Sequence, residues 1–258
     1  MKLLLTIAYD GGAYSGWQRQ INGLGVQEVL ETALARLLPA EPGRISLTAA
    51  SRTDAGVHAL GQKAAFELDE LKIPAENFPK ALNTFLPDDI VVTRARPVPD
   101  AFNPRFDAKS KTYRYCFLDS RYPDPLLRRY TWYVPRPLDL EAMRAACPHF
   151  IGEHDFAAFS CSGSSAKTTT RAIHGLTLEK RELEREKALI TMYVTGGGFL
   201  YNMVRIIAGT LVSAGLGKLG PDDIPAIIAS RRRENAGKTA PPQGLTLMEV
   251  RYEEERIK

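Results

Sequence analysis

One short stretch, residues 50–59, contains side chains that could carry out chemistry. It includes Arg52 and Asp54 and lies between two segments, 44–48 and 62–68, whose interleaved apolar and polar residues predict strands. Residues two apart in an extended segment share a face, so the guanidinium and the carboxylate could point the same way. Loops carried on rigid strands often hold catalytic groups. An ordinary turn with a solvated ion pair is the alternative, because exposed pairs are common and weak.

A second stretch, residues 109–115, combines cations with aromatic rings, among them Lys109, Lys111 and Tyr113. On a strand, this pattern offers ring faces on which bases can stack, next to cations that can hold phosphates. The alternative is an ordinary strand with one solvated face, since tyrosine favours strands in any case.

A third stretch, residues 196–205, places three glycines before an apolar helix that carries an arginine. Glycines before a helix allow its free amides to meet an anion. Asn202, Arg205 and Gly209 are three and four residues apart and predict a polar notch on one helix face. We expect Arg205 to have a carboxylate partner, because an unpaired buried charge is strongly destabilising.

The composition is that of a soluble globular protein, with 258 residues, 44% hydrophobic and 25% charged. A net charge of +4 permits a polyanionic partner without demanding one. Residues 2–8 imitate the start of a signal peptide, but the apolar run is too short and no cleavage site follows. The three scattered cysteines indicate reduced thiols in a cytosolic protein, and the four histidines lack the spacing of metal ligands. We therefore expect no metal and no membrane span.

The first half of the chain predicts the element order β-α-β-β-α-β, a split βαβ pattern that gives a sheet with helices on one face. The predicted elements are strands 2–9, 44–48, 62–68 and 90–93 and helices 26–38 and 74–86. The proline-rich segment 97–104 predicts a linker, so we place an N-terminal α+β domain at residues 1–104.

The pattern of the second half predicts the same order again, although its residues show no internal repeat. Its predicted elements are strands 110–118, 169–180, 188–195 and 246–253 and helices 139–150, 199–215 and 221–230. We place a C-terminal α+β domain at residues 105–258. The predicted fold class is α+β, with two pseudo-symmetric ferredoxin-like (βαββαβ) halves, mainly antiparallel sheets with helices on one face, and a basic cleft between them.

One glycine-rich segment resembles a nucleotide-binding motif only superficially. Residues 215–220 match G-x-G-x-x-G, the pattern of dinucleotide-binding loops. They follow a predicted helix instead of a strand, and no βαβ unit surrounds them, so a glycine loop that ends a helix is the better interpretation.

Three of these stretches, with a fourth, resemble a known family. Arg-Thr-Asp-Ala-Gly-Val-His-Ala, Lys-x-Tyr-x-Tyr, the glycine-arginine helix and the proline-ordered loop 237–245 are similar, in this order, to motifs of the TruA-type tRNA pseudouridine synthases (the tRNA pseudouridine synthase A family). The resemblance spans nearly the whole chain. The family usually has glycine where this chain has Ser51, a departure that leaves the acidic residue intact.

The resemblance implies roles for individual residues. Asp54 would be the catalytic carboxylate, Arg205 its cationic partner, and Leu245 part of the base pocket. The ring of Tyr113 would pack on the target base and help in proton transfer. We further expect Arg52 to contact the RNA and to occupy the space that the flipped base leaves.

The resemblance also implies the partners. The substrate would be tRNA at uridines 38, 39 and 40 of the anticodon arm, and the enzyme a cytoplasmic homodimer. Lys109 and Lys111 are candidates to hold phosphates of the RNA. Isomerising uridine needs neither a redox partner nor an energy source, so no cofactor is expected.

Two other classes remain open at this point. A non-catalytic RNA-binding protein or chaperone would explain the rings and the cations, but not an aspartate accompanied by two candidate arginines. A glycosidase acting on small sugars would use an aspartate, but normally needs a second carboxylate as acid.

Overall fold

The structure is a computed structural model, and it describes residues 1–38, 44–161, 163, 166–184 and 187–253. The chain divides into two compact units. The first unit contains Met1–Ser110 and the segment that begins at Leu247, and the second contains Lys111–Thr246.

The first unit is built on an antiparallel sheet. Its elements are β1 (Lys2–Tyr9), α1 (Val26–Leu37), β2 (Thr48–Ala49), β3 (His58–Glu67), α2 (Phe78–Asn83), β4 (Ile90–Val98) and most of β10 (Leu245–Arg251). The strand order is β4-β1-β3-β10, and β2 pairs with β3. The predicted order β-α-β-β-α-β is thus confirmed for this half.

Burial explains the first strand and the first helix. Leu3, Leu5 and Ile7 of β1 are fully buried, as the apolar run predicted. In α1, the apolar residues that recur at three and four form the buried stripe, with Leu30 and Leu34 fully buried.

The strand predicted at 44–48 is largely absent, since β2 contains only two residues. Ile45 and Leu47 are buried in alternation, as in a strand. However, the amide of Leu47 donates to Glu31 Oε1 at 2.9 Å, so a side chain of α1 takes the place of a sheet partner.

The linker predicted at 97–104 also begins later than expected. β4 continues to Val98 and includes Pro97, which lies opposite Leu3 of β1. β4 is an edge strand in the first unit, and an edge tolerates proline because one side of the strand needs no donor.

Among its described residues, the second unit contains a second antiparallel sheet region and three α-helices. Its elements are β5 (Ser110–Asp119), β6 (Trp132–Val134), α3 (Leu140–Ala146), β7 (Gly152–Asp155), β8 (Thr170–Leu183), β9 (Lys187–Gly196), α4 (Met203–Gly215) and α5 (Asp223–Ser230). The strand order is β5-β9-β8-β7, and β6 pairs with β5 in parallel.

The α+β class and the long β8–β9 hairpin are confirmed. The second unit adds β6, β7 and α5 to the βαββαβ order, so the two units do not share one element order, and the predicted pseudo-symmetry is not confirmed. The glycine loop after α4 does end a helix, with Gly217 at a φ of +68°.

The closing strand belongs mainly to the first unit, whereas the sequence division assigned it to residues 105–258. A Cβ on Gly61 of β3 would lie 2.2 Å from the carbonyl oxygen of Met248, so the two backbones are in close contact. Beyond the strand, the Tyr252 hydroxyl donates to the Pro104 carbonyl at 2.8 Å, and its ring packs on Phe102.

Across the part of the chain that the structure describes, no helix is long and apolar enough to cross a membrane. The same residues contain no group of three or more histidine, cysteine or acidic side chains that could hold a metal ion.

Candidate active site

The loop between β2 and β3 carries the predicted catalytic carboxylate. Within this loop Asp54 is half-buried, Arg52 is exposed, and Thr53 between them is buried. Such burial removes part of the solvation of a carboxylate at Asp54 while leaving it reachable.

A neighbouring loop holds this segment in place. The Trp17 amide donates to the Thr53 carbonyl at 3.0 Å, and the Gly56 amide donates to the Tyr14 carbonyl at 3.3 Å. Gly16 has a φ of +97°, and a Cβ there would lie 2.6 Å from the Thr53 carbonyl oxygen. The two backbones therefore approach so closely that only glycine fits at this position.

Side-chain hydrogen bonds from β1 and β3 also hold this loop. The Tyr9 and Thr53 hydroxyls lie 2.7 Å apart in a buried setting. The side-chain amide of Gln62, which is fully buried, donates from Nε2 to the Ser51 carbonyl at 2.7 Å. Ser51 does not have a positive φ, so the backbone at this position does not require the glycine that the family usually has.

His58, the histidine of the same motif, is buried at the start of β3. Its Nδ1 lies 3.0 Å from the Gly11 amide nitrogen and 3.0 Å from Asp10 Oδ1. One ring nitrogen cannot accept from the amide and donate to the carboxylate at once. Because the amide can only donate, we assign Nδ1 as the acceptor for Gly11, a bond that ties β3 to the turn after β1.

In the second unit, Tyr113 lies on β5 with only 6% of its surface exposed. The edge of one ring meets the face of the other between Tyr113 and Phe199, with centroids 5.3 Å apart. Tyr113 therefore lies on the buried face of β5, and its stacking on a base stays a prediction.

Arg205 on α4 is half-buried and organises the loop that follows α5. Its Nε donates to the Ala240 carbonyl and its Nη1 to Asn202 Oδ1, both at 2.7 Å. The Ala240 amide in turn donates to the Arg205 carbonyl at 3.1 Å. Burial raises the pKa of the Tyr115 hydroxyl, and the positive charge of the Arg205 guanidinium opposes this shift.

The polar notch predicted on α4 is occupied by that loop. A Cβ on Gly209 would lie 1.7 Å from the Lys238 carbonyl oxygen, so the helix and the loop touch through backbone. The Gly237 amide donates to Thr210 Oγ1 at 2.9 Å. The missing side chain at Gly209 is therefore what admits the loop.

Leu245 is buried at the start of β10, directly after a short 3-10 turn. Gly244 precedes it, and a Cβ on Gly244 would lie 2.6 Å from the Tyr115 ring. The Tyr115 hydroxyl donates to the Pro241 carbonyl at 2.8 Å. Within the second unit, Tyr115 and Arg205 thus both donate hydrogen bonds to the loop that precedes Leu245.

The two candidate phosphate-binding lysines differ. Lys109 is exposed, and its Nζ lies 2.8 Å from Glu253 Oε1 in a solvent-exposed ion pair. Lys111 is half-buried in β5, opposite Gly196 of β9. An RNA phosphate would have to replace Glu253 as the partner of Lys109, which is feasible because exposed pairs are weak.

Sequence reasoning missed the groups that hold the loop of Asp54, chiefly Tyr9, Trp17 and Gln62. Trp17 carried a usable signal, because a tryptophan in a glycine-punctuated loop seldom lies in solvent. It is 2% exposed.

Comparison with known proteins identifies the family. A family model described as tRNA pseudouridine synthase matches residues 5–107 and 146–253. A protein named tRNA pseudouridine synthase A in a Thermoanaerobacter species is 47% identical, over 97% of this chain and 99% of its own. A protein of the same name in Acetivibrio thermocellus is 48% identical, over 96% of this chain and 98% of its own. A relative of the same name in Geotalea uraniireducens is 48% identical, over 97% of this chain and 99% of its own. The chain therefore belongs to the tRNA pseudouridine synthase family.

Proposed function

We propose that this protein isomerises uridine to pseudouridine in tRNA, with Asp54 as the catalytic carboxylate. The observation that carries the proposal is the placement of Asp54, half-buried on a loop clamped by backbone and side-chain hydrogen bonds, in a chain related to synthases over nearly its whole length. By the family resemblance we assign positions 38, 39 and 40 of the anticodon arm. We also propose that the enzyme works as a homodimer in the cytoplasm.

The reaction moves one bond. The bond between ribose C1′ and uracil N1 breaks, the base turns, a bond from C1′ to C5 forms, and the C5 proton leaves while N1 gains one. Atoms and electrons balance without a redox partner. The uridine must leave the RNA stack, because the duplex shields these atoms. The carboxylate of Asp54 attacks the sugar or the base, or takes a sugar proton, and each route requires it ionised.

Arg205 is proposed as the group that keeps Asp54 charged. Burial alone raises the pKa of a carboxyl group, whereas a nearby guanidinium lowers it. The bonds of Arg205 to Ala240 and Asn202 support this role, since they fix the direction of its side chain before substrate arrives. We expect Arg205→Met to abolish turnover, and unchanged turnover would contradict the pairing.

The other residues are proposed to hold the RNA. Tyr113 stacks on the uracil, a contact worth about 1–3 kcal/mol per base, and Leu245 lines the pocket for it. Arg52 fills the space that the base vacates, which its exposure supports. Lys109 and Lys111 hold phosphates, and this makes binding sensitive to salt.

The test of the function uses the wild-type protein and an unmodified tRNA transcript labelled with tritium at C5 of uridine. We expect tritium release, with pseudouridine mapped at positions 38–40. Binding of tRNA without tritium release would favour the non-catalytic RNA-binding alternative, and release with pseudouridine elsewhere would overturn only the assignment of positions.

A further inference from the structure

The second unit contains a cavity of about 540 Å³ beside the C-terminal half of α4. Its wall is formed by α4, the segment 235–238 and the chain around the end of β6. Neither Tyr113 nor Arg205 nor Leu245 belongs to the lining. The cavity is therefore distinct from the residues proposed to hold the target uridine.

The charge of this cavity has one sign. Arg136, Lys218 and Lys238 line it, and its lining includes no aspartate or glutamate. Arg136 and Lys218 are exposed side chains, so both remain solvated in the absence of a partner. Three cations around one concavity attract an anion, and the absence of a carboxylate leaves that charge uncompensated within the lining.

One of the cations is held in position. The Nζ of Lys238 lies 4.7 Å from the centroid of the Trp132 ring, a cation–π contact. The backbone of Lys238 is also in contact with Gly209 of α4. Trp132 is 8% exposed, with its ring packed against Phe117 and Tyr115. Because Lys238 covers this ring, the cavity suits phosphate groups better than a stacked base.

We propose that this cavity binds the phosphodiester backbone of the substrate RNA at nucleotides other than the one isomerised. The inference rests on the proposed function for the identity of the partner. Its volume accommodates a short stretch of backbone, and an Arg fork with two Lys point charges is the usual set for phosphate. Ser213 and Asn235 of the lining add polar groups for sugar hydroxyls.

The cavity lies next to the loop that orients Arg205. Lys238 is two residues before Ala240, whose carbonyl accepts the bond from Arg205 Nε. RNA bound at Lys238 therefore contacts the loop whose Ala240 carbonyl orients Arg205, the proposed partner of Asp54. Backbone binding here fixes the register of the RNA without reading its sequence.

The test compares the double variant Arg136→Ser/Lys218→Ser with a charge-matched control, Lys72→Ser/Lys80→Ser, which removes two exposed cations of the first unit. Binding of tRNA is measured from 50 to 300 mM salt, together with the KM for pseudouridine formation. We expect the double variant to raise Kd and KM on the order of tenfold at low salt and to reduce the slope of log K against log salt by about two. The control should match the wild type.

A second measurement identifies the ligand. The protein has two tryptophans, and the indole N–H signal of Trp132 is assigned with Trp132→Phe. A short single-stranded RNA should shift this signal in the wild type but not in the double variant. If inorganic pyrophosphate or an acidic peptide shifts the Trp132 signal with the same affinity as the RNA, the assignment to an RNA strand is overturned.

The outcomes separate this inference from the proposed function. If the wild type makes pseudouridine and the double variant binds tRNA like the control, only this inference fails. If the wild type binds no tRNA, both fail.

Discussion

The hydroxyl of Tyr9 lies 2.7 Å from Oγ1 of Thr53, and both side chains are buried. Tyr9 is the last residue of β1, and Thr53 directly precedes Asp54. The first strand of the sheet therefore holds the residue next to the proposed catalytic carboxylate.

Removing this bond should affect turnover more than RNA binding. Tyr9→Phe leaves the ring in place but deletes the partner of Thr53, at a cost of about 1 kcal/mol in unfolding free energy. We expect kcat to fall on the order of tenfold, because a small displacement of a catalytic group is expensive. The Kd for tRNA should stay unchanged.

The matched control is Tyr252→Phe, which removes a part-buried tyrosine hydroxyl that donates to Pro104 in the same unit. It should cost similar stability and leave kcat at the wild-type value. Equal kcat values for the two variants would contradict a positioning role for Tyr9.

The contact between α4 and the loop 237–245 should not tolerate a methyl group. Gly209→Ala places a Cβ 1.7 Å from the Lys238 carbonyl oxygen, so the loop must move away. We expect a loss of at least about 2 kcal/mol in unfolding free energy and a kcat reduced on the order of tenfold or more, because the loop also carries Ala240, the acceptor of Arg205.

Gly215→Ala is the control on the same helix. Its Cβ would meet the side chain of Met143 at 2.8 Å, a clash that a side chain relieves more easily than a backbone carbonyl does. Urea unfolding and steady-state kinetics of both variants decide the matter. A Gly209→Ala enzyme as stable and active as Gly215→Ala would show that the close contact is unimportant.

Buried thiols should make the protein sensitive to alkali. Burial raises the pKa of the Cys147 thiol from its ordinary value near 9 to about 11. The folded state thus disfavours the thiolate, so the contribution of Cys147 to stability is complete below pH 9 and is lost as the pH rises from 9 towards 11.

Urea unfolding of the wild type and of Cys147→Ala at pH 8 and pH 10 measures this contribution. The variant removes a buried group and should be less stable at pH 8, yet it should lose less stability between the two pH values. A decline as large as that of the wild type would mean that Cys147 does not titrate in this range.

The sequence predicted elements well where local pattern and packing agree. The stripe of α1 and the run of β1 are buried as expected, and the order of the first half follows from them. The helix predicted from residue 199 begins instead at Met203, because Asn202 has a left-handed backbone with a φ of 61°. That backbone conformation depends on neighbouring structure, so the spacing of hydrophobic residues could not predict it.

Contacts distant in sequence were the hardest to predict. Tyr9 and Thr53 are 44 residues apart, and Arg205 and Ala240 are 35 apart. Nothing in either local sequence identifies the other partner. The return of the segment from Leu247 to the first unit was missed for the same reason, since strand pairing depends on the assembled sheet. The pairing of Asp54 with Arg205 and the roles of Tyr113 and Leu245 stay predictions.

The most direct test of the account is tritium release by Asp54→Asn. The substitution keeps the size of the side chain and removes its charge. Single-turnover tritium release from tRNA labelled at C5 of uridine should disappear while tRNA binding persists. Asp69→Asn, which neutralises an exposed aspartate paired with Arg44, should release tritium at the wild-type rate. Release by Asp54→Asn at the rate of this control would contradict the central claim that the Asp54 carboxylate carries the reaction.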